Sequence, residues 1–241
     1  MFETIMTQSR DSMGRHPGMT IGVALLSRRI AIVASDGRVM SPVPLGPDGA
    51  ATTPAVIATD DEDKTFRAAS GRIIGCCAGV MRLGGRRATE LVAASVGEDR
   101  TALLDHAADR VGRALQVALL ASDVSVQRRL VHALLVGRDG ASLGLRHVMA
   151  TGDSFSIEER LSFQRGSPAR LWRVIGEDVA RTASSSALDR VTNAQNVNLD
   201  SLRRTATQAV RAGINGSGPS PDNPDLPACG GTVRVATLFA P

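Results

Sequence analysis

Thr20 opens an apolar run, Asp36 closes the next one, and Lys64 begins a third. A hydroxyl, a carboxylate and an ammonium gathered at one sheet end are the parts of a nucleophilic site. A hydroxyl nucleophile needs a base, and a threonine at a mature N-terminus carries one in its own α-amine, which titrates near pH 8 when unperturbed. A lysine cation beside it favours the neutral amine and the developing alkoxide, while an aspartate holds that lysine and balances its charge. The chain has 28 basic side chains, of which 27 are arginine and Lys64 alone is lysine. Arginine is a poor substitute in this role, because its fork is bulky and never gives up its proton. Each residue also has an ordinary use: threonine is a strand former, and aspartate before glycine is a turn residue. Their order along the chain and the uniqueness of the lysine carry the chemical reading.

The elements that must position them follow from the hydrophobic pattern. Residues 20–26 and 30–34 read as buried strands joined by Ser27-Arg28-Arg29, an antiparallel hairpin that puts Thr20 and Asp36 at the same end. Residues 40–63 hold four prolines and close on Asp60-Asp61-Glu62-Asp63, so they read as a long surface loop. Residues 64–69 and 72–79 form a second strand pair around Ser70-Gly71. Helices are predicted over 81–96 and 100–121, strands over 131–136, 143–150 and near 158–165, and helices over 168–182 and 198–212. A loop over 215–227 leads to a last strand over 232–238. Strands and helices segregated in blocks imply an α+β fold with stacked sheets. No repeat or composition shift divides residues 20–241, which read as one domain. Residues 1–19 are polar, lack a signal-peptide core, and read as a leader, a pro-segment or an upstream start.

Composition excludes several functions. The hydrophobic share of 43% and charged share of 22% suit a globular chain. No apolar run is long enough to span a membrane. The isoelectric point near 9.7 reflects arginine usage, since net charge is only +4 and aromatic residues make up 2%. That is weak ground for nucleic-acid binding. Cys76, Cys77 and Cys229 have no disulfide or metal spacing and read as buried thiols in a reducing cytoplasm. The histidines His16, His106, His132 and His147 show no metal or relay spacing. Gly79-Val80-Met81-Arg82-Leu83-Gly84-Gly85-Arg86 lacks the Lys-Ser/Thr pair of a phosphate loop, and no Gly-x-Ser-x-Gly elbow occurs. No cofactor is expected.

Thr20-Ile21-Gly22-Val23, Ala34-Ser35-Asp36-Gly37-Arg38, Lys64-Thr65-Phe66 and Ala78-Gly79 resemble the signature of proteasome-type N-terminal-nucleophile hydrolases, nearest in texture to the bacterial HslV and Anbu members. The resemblance spans nearly all of Thr20–Leu238. It implies a four-layer αββα sandwich of two stacked antiparallel sheets, a homo-oligomer of ring or helical form, and hydrolysis of peptide or unfolded-protein substrates. Thr20 would be nucleophile and base, Asp36 and Lys64 the supporting charge pair, and the Gly79 amide the oxyanion donor. Val39, Cys77 and Met81 would line an apolar specificity pocket. An unfoldase partner stays open.

The sequence also departs from that family. The loop before Lys64 is long. The supporting serine falls near Ser167, in Arg165-Gly166-Ser167-Pro168, and Cys229 stands where a serine precedes Gly-Gly, with Asp225 one position off. Self-cleaving members carry glycine before the threonine, whereas Met19 precedes Thr20. Either translation begins at Met19 and methionine removal exposes Thr20, or residues 1–19 remain and the chain is a catalytically silent scaffolding subunit.

Overall fold

Two apolar runs separated by a polar tripeptide fold back on each other, as the pattern implies. In the computed structural model, which describes residues 20–41, 43–44, 46–47, 51–98, 103–163, 167, 169–190 and 198–240, β1 (Ile21–Leu26) pairs antiparallel with β2 (Ile30–Ser35). Ser27 closes the turn, donating its amide to the Ile30 carbonyl at 2.8 Å and accepting the Ile30 amide on Oγ at 3.0 Å. The 1–19 segment lies outside the described residues.

The chain continues through β3 (Val39–Met40), β4 (Ile57–Thr59), β5 (Thr65–Arg67), β6 (Ile73–Gly79), β7 (Arg82–Leu83) and β8 (Arg86–Arg87). Helices α1 (Ala88–Val96) and α2 (Leu104–Leu120) follow, then β9 (Leu130–Asp139), β10 (Ser142–Thr151), β11 (Phe155–Ser162) and β12 (Leu171–Gly176). Helices α3 (Asp178–Asp189) and α4 (Leu199–Gly216), the hairpin β13 (Pro219–Ser220) and β14 (Asn223–Pro227), and β15 (Arg234–Phe239) complete it. A four-stranded sheet has the order β12-β1-β2-β15 and a five-stranded sheet the order β11-β10-β9-β6-β5, with antiparallel neighbours throughout.

Burial explains why β1 and β2 are apolar at nearly every position. Ile21, Val23, Leu25, Ile32 and Ala34 cluster with Ala180 of α3 and Leu202, Ala206 and Val210 of α4. Their alternates Ala24, Leu26, Ala31 and Val33 meet Ile74, Cys76, Leu134 and Val136 of the five-stranded sheet. The opposite face of that sheet, including Val131, Ala133 and Leu135, packs against Val92 of α1 and Val111, Leu115 and Leu119 of α2. Strands covered on both faces have no reason to alternate.

Two helix and two loop assignments need correction. The helix expected over 81–96 starts only at Ala88, because Gly84 and Gly85, at φ 55° and 79°, turn β7 into β8 first. The helix expected over 168–182 is displaced. Residues 171–176 instead supply the β12 edge of the four-stranded sheet, and α3 starts after Glu177, whose carboxylate accepts the Val179 and Ala180 amides. The expected loops over 40–63 and 215–227 contain the small pairings β3–β4 and β13–β14. Asn223 Nδ2 donates to the Ala55 carbonyl at 2.8 Å, so the two segments are stitched together.

Candidate active site

The hairpin and the start of β5 bring three predicted residues into direct contact. Gly22 pairs with Ser35, so Asp36 lies beside Ile21, its amide donating to the Ile21 carbonyl at 3.1 Å. Asp36 Oδ1 accepts the Ile21 amide at 3.0 Å. Lys64, next to the first residue of β5, donates from Nζ to Thr20 Oγ1 at 2.8 Å, to Asp36 Oδ1 at 3.0 Å and to the Arg38 carbonyl. Asp36 Oδ2 accepts the Gly230 amide at 3.1 Å. Thr20 is 2% exposed, and Asp36 and Lys64 are 0% exposed. A buried ion pair is tolerable only when its remaining hydrogen-bonding capacity is met. Here three N–H groups meet three acceptors, and both carboxylate oxygens are occupied.

That arrangement limits what the ammonium can do chemically. An ammonium donating all three protons has no lone pair, so it cannot take the threonine proton. It can stabilise negative charge growing on Oγ1, since charge-assisted hydrogen bonds are the strong ones. A base for the Thr20 hydroxyl would have to be a different group. The Thr20 main chain is fixed from the other side, where the Glu177 amide donates to its carbonyl at 3.1 Å. Gly176, at φ 126°, lies so close that a Cβ would sit 1.8 Å from the Thr20 carbonyl oxygen.

No protein-family model matches the chain. No curated protein matches it. A solved structure similar to it is eukaryotic HslV from Trypanosoma brucei, at 12% sequence identity and a TM-score of 0.49, over 91% of this chain and 99% of that one.

The other predicted residues take different places. The Cys77 amide donates to the Lys64 carbonyl at 3.0 Å, and Gly79 lies two residues further along β6. Gly79 has φ 98°, and a Cβ there would stand 2.2 Å from the Leu130 carbonyl oxygen. Cys77, Met81 and half-buried Val39 belong to one apolar cluster, with Cys77 fully buried and its thiol pushed up to about 12 by that burial. Cys229 is buried beside Gly230, and burial, with the Asp36 charge, pushes its thiol far up, so it stays neutral.

β12 runs from Leu171, opposite Leu26, to Gly176, opposite Ile21, so Ser167 precedes the strand end remote from Thr20. Glu177 occupies the near end. Asp225 is exposed on β14, and the buried carboxylate of that stretch is Asp222, bonded to Arg128 at 2.6 Å. The Arg38 carbonyl, the Gly230 amide and the Glu177 amide were missed by sequence reasoning. They act through main-chain atoms, so the motif ending at Arg38 and the Gly230-Gly231 doublet mark two of the positions without showing what they do.

Two histidines expected to be unrelated are in contact. His132 on β9 and His147 on β10 stack with centroids 5.2 Å apart, and Nδ1 of His132 lies 3.0 Å from Nε2 of His147. Cross-strand pairing creates a proximity that spacing cannot show. Burial, with His132 on β9, Arg173 on β12 and Arg181 on α3 facing it, holds His147 well below the ordinary histidine range. Arg173 is itself paired to Glu159 of β11 at 2.9 Å. The unfolded chain protonates this residue near pH 6.5 and the folded chain only lower, so the contribution is whole above that pH and lost as pH falls below it. Unfolding free energy should therefore be nearly flat above pH 7.5 and fall below pH 6.5, its slope approaching about 1.4 kcal/mol per pH unit once the unfolded chain holds one extra proton. His147→Gln should flatten that profile, and an unchanged slope in the variant would refute the assignment.

Among the described residues, no group of three or more His, Cys, Asp or Glu side chains is placed to hold a metal ion. No helix among them is long and apolar enough to cross a membrane.

Proposed function

We propose that this chain is a proteasome-type N-terminal-nucleophile hydrolase subunit, a threonine peptidase or amidohydrolase that cleaves peptide bonds through Thr20. The observation that carries this reading is the single lysine of the chain, fully buried, bridging Thr20 Oγ1 and Asp36 Oδ1. The three apolar clusters, helix against sheet, sheet against sheet and sheet against helix, support a four-layer αββα sandwich.

In this mechanism residues 1–19 are absent from the mature chain, either because translation begins at Met19 and that methionine is removed or because the segment is cleaved off. The free α-amine of Thr20 takes the hydroxyl proton, and Oγ1 attacks the scissile carbonyl. Lys64 stabilises the alkoxide and Asp36 balances the lysine. The Gly79 amide donates to the oxyanion, where one such donor is worth about 3 kcal/mol. The tetrahedral adduct collapses as the C–N bond breaks, the leaving amine takes the proton from the α-ammonium, and an ester to Thr20 remains. Water, activated by the same amine, hydrolyses the ester. Val39, Cys77 and Met81 supply an apolar wall for the substrate side chain. The subunits assemble as a cytoplasmic ring or helical homo-oligomer acting on peptides or unfolded chains.

Cys229 favours a second reading. A buried neutral thiol replaces the serine that the resemblance calls for, as in a subunit that scaffolds without turning over.

A β-lactone probe, read by intact mass, separates the two. The cell-derived protein should begin at Thr20 and gain one adduct, and Thr20→Ala should gain none. Equal labelling of the two proteins, or a mature chain beginning at Met1, would sink the peptidase reading.

A further inference from the structure

Two of the three acceptors on the Lys64 ammonium are side chains already assigned to the chemistry. The third is the main-chain carbonyl of Arg38, and the side chain of that residue is the hub of three loops. Arg38 Nε and Nη2 donate to Asp60 Oδ1 and Oδ2 at 2.7 and 3.0 Å, and Nη1 donates to the Pro227 carbonyl at 3.2 Å. The Arg38 and Gly37 amides both donate to the Gly230 carbonyl, at 3.0 and 3.1 Å. The Asp60 carbonyl accepts the Thr232 amide at 2.7 Å, and the Gly37 carbonyl accepts the Glu62 amide at 3.0 Å.

The loops approach so closely that a side chain at Gly37 or Gly231 would meet backbone, and one at Gly230 would displace the Arg38 guanidinium. A Cβ on Gly37 would stand 2.6 Å from the Asp60 carbonyl oxygen, one on Gly231 2.2 Å from it, and one on Gly230 2.4 Å from Arg38 Cζ. The same strip supplies the Gly230 amide to Asp36 Oδ2. Asp60 thus fixes the arginine whose carbonyl holds the ammonium, and that arginine closes the loop whose amide holds the carboxylate.

We propose that the bidentate Arg38–Asp60 ion pair is the positioning element of the site, setting the height of the Lys64 ammonium against Thr20 Oγ1 through the Arg38 carbonyl. Its consequence for catalysis rests on the reading of Thr20 given above; its consequence for Lys64 does not. The neighbouring acids show that this is not a general property of the acidic run. Asp61 pairs with Arg234, Glu62 with Arg87 at 3.0 Å, and Asp63 accepts the Thr65 amide at 2.9 Å. Among these, Asp60 alone is joined to a residue that binds Lys64. The Arg38 guanidinium draws the Asp60 carboxyl below the usual range, with the Lys64 charge adding to the effect. The pair stays ionised at neutral pH.

One lysine in the chain gives one lysine signal, so protein labelled with ¹³Cε,¹⁵Nζ-lysine reports on Lys64 without assignment. In the intact protein its ammonium protons should exchange slowly with water. Asp60→Asn, and independently Arg38→Gln, should accelerate that exchange by about tenfold or more, the scale of losing one charge-assisted tether. Asp60→Glu should restore most of the protection. Asp61→Asn, which removes the adjacent ion pair, should leave it at the wild-type value. Thermal midpoints run alongside identify any variant that has not folded. Equal exchange in Asp60→Asn and Asp61→Asn would overturn the proposal.

β-Lactone acylation of the same proteins supplies the catalytic arm. Asp60→Asn should lower the maximal acylation rate with little change in half-saturating probe concentration. If the wild type is not acylated, the reading of Thr20 fails while the lysine signal still decides the positioning role.

Discussion

Lys64→Arg is expected to lower the rate of Thr20 acylation by about 10²- to 10⁴-fold, the range spanned by a well-placed proton-transfer or charge-stabilising group. The chamber around Nζ is closed, with Lys64 at 0% exposure. Its three acceptors, Thr20 Oγ1, Asp36 Oδ1 and the Arg38 carbonyl, converge on one tetrahedral nitrogen. A guanidinium is planar and spreads five donors over a fork, so it cannot reach all three from one point. Inserting the extra atoms costs a further 1–3 kcal/mol or so from overpacking. The variant should therefore melt lower yet remain folded, and its acylation should be slow even at saturating probe. The contrast with the rest of the chain is instructive. Arg38 and Arg128 grip Asp60 and Asp222 with two nitrogens each, which lysine cannot do. Turnover within a few-fold of wild type would show that a point charge at Nζ is not what the site needs.

The meeting of Thr20, Asp36 and Lys64 was legible because each stands at a strand end and strand ends are set by local pattern. The hairpin needs only two apolar runs and a turn, and the lysine marks itself by being unique. What was not legible is non-local or main-chain. β12 looks helical in isolation, because a six-residue edge strand that is apolar on both faces, Trp172 and Val174 on one and Leu171 and Ile175 on the other, is too short for either period to dominate. Its identity depends on the β1 edge it covers, far earlier in the chain, in the register Ile21 to Gly176 and Leu26 to Leu171. That register is what puts the Glu177 amide beside Thr20, which the local pattern of 168–182 does not reveal. The pairing of His132 with His147 depends likewise on the β9–β10 register, which sets Met149 against His132 and His147 against Leu134. The acidic run reads as part of a long surface loop, but its carboxylates are each bonded to partners, three of them arginines distant in sequence, Arg38, Arg87 and Arg234.

Asp36→Asn separates stability from chemistry at this site. The carboxylate accepts on both oxygens, from Lys64 and the Ile21 amide on Oδ1 and from the Gly230 amide on Oδ2. An asparagine has one acceptor and one donor at its tip, so in either orientation its amide NH₂ faces another N–H. It also leaves the Lys64 ammonium buried without a counter-charge, and breaking a buried pair from one side costs about 3–5 kcal/mol. Denaturant unfolding should show that loss. Adding Lys64→Met removes the stranded charge while filling similar space, so the double variant should recover about 2 kcal/mol of it. The recovery is partial because one backbone N–H, at Ile21 or Gly230, still faces the asparagine NH₂. Acylation of Thr20 should be lost in both single variants and stay lost in the double, since no cation then stands against Oγ1. A double variant no more stable than Asp36→Asn would mean the ion pair is not what the buried carboxylate is there to satisfy. Restored acylation in the double would mean the threonine reacts without the ammonium, and the roles of Lys64 and Asp36 would have to be reassigned.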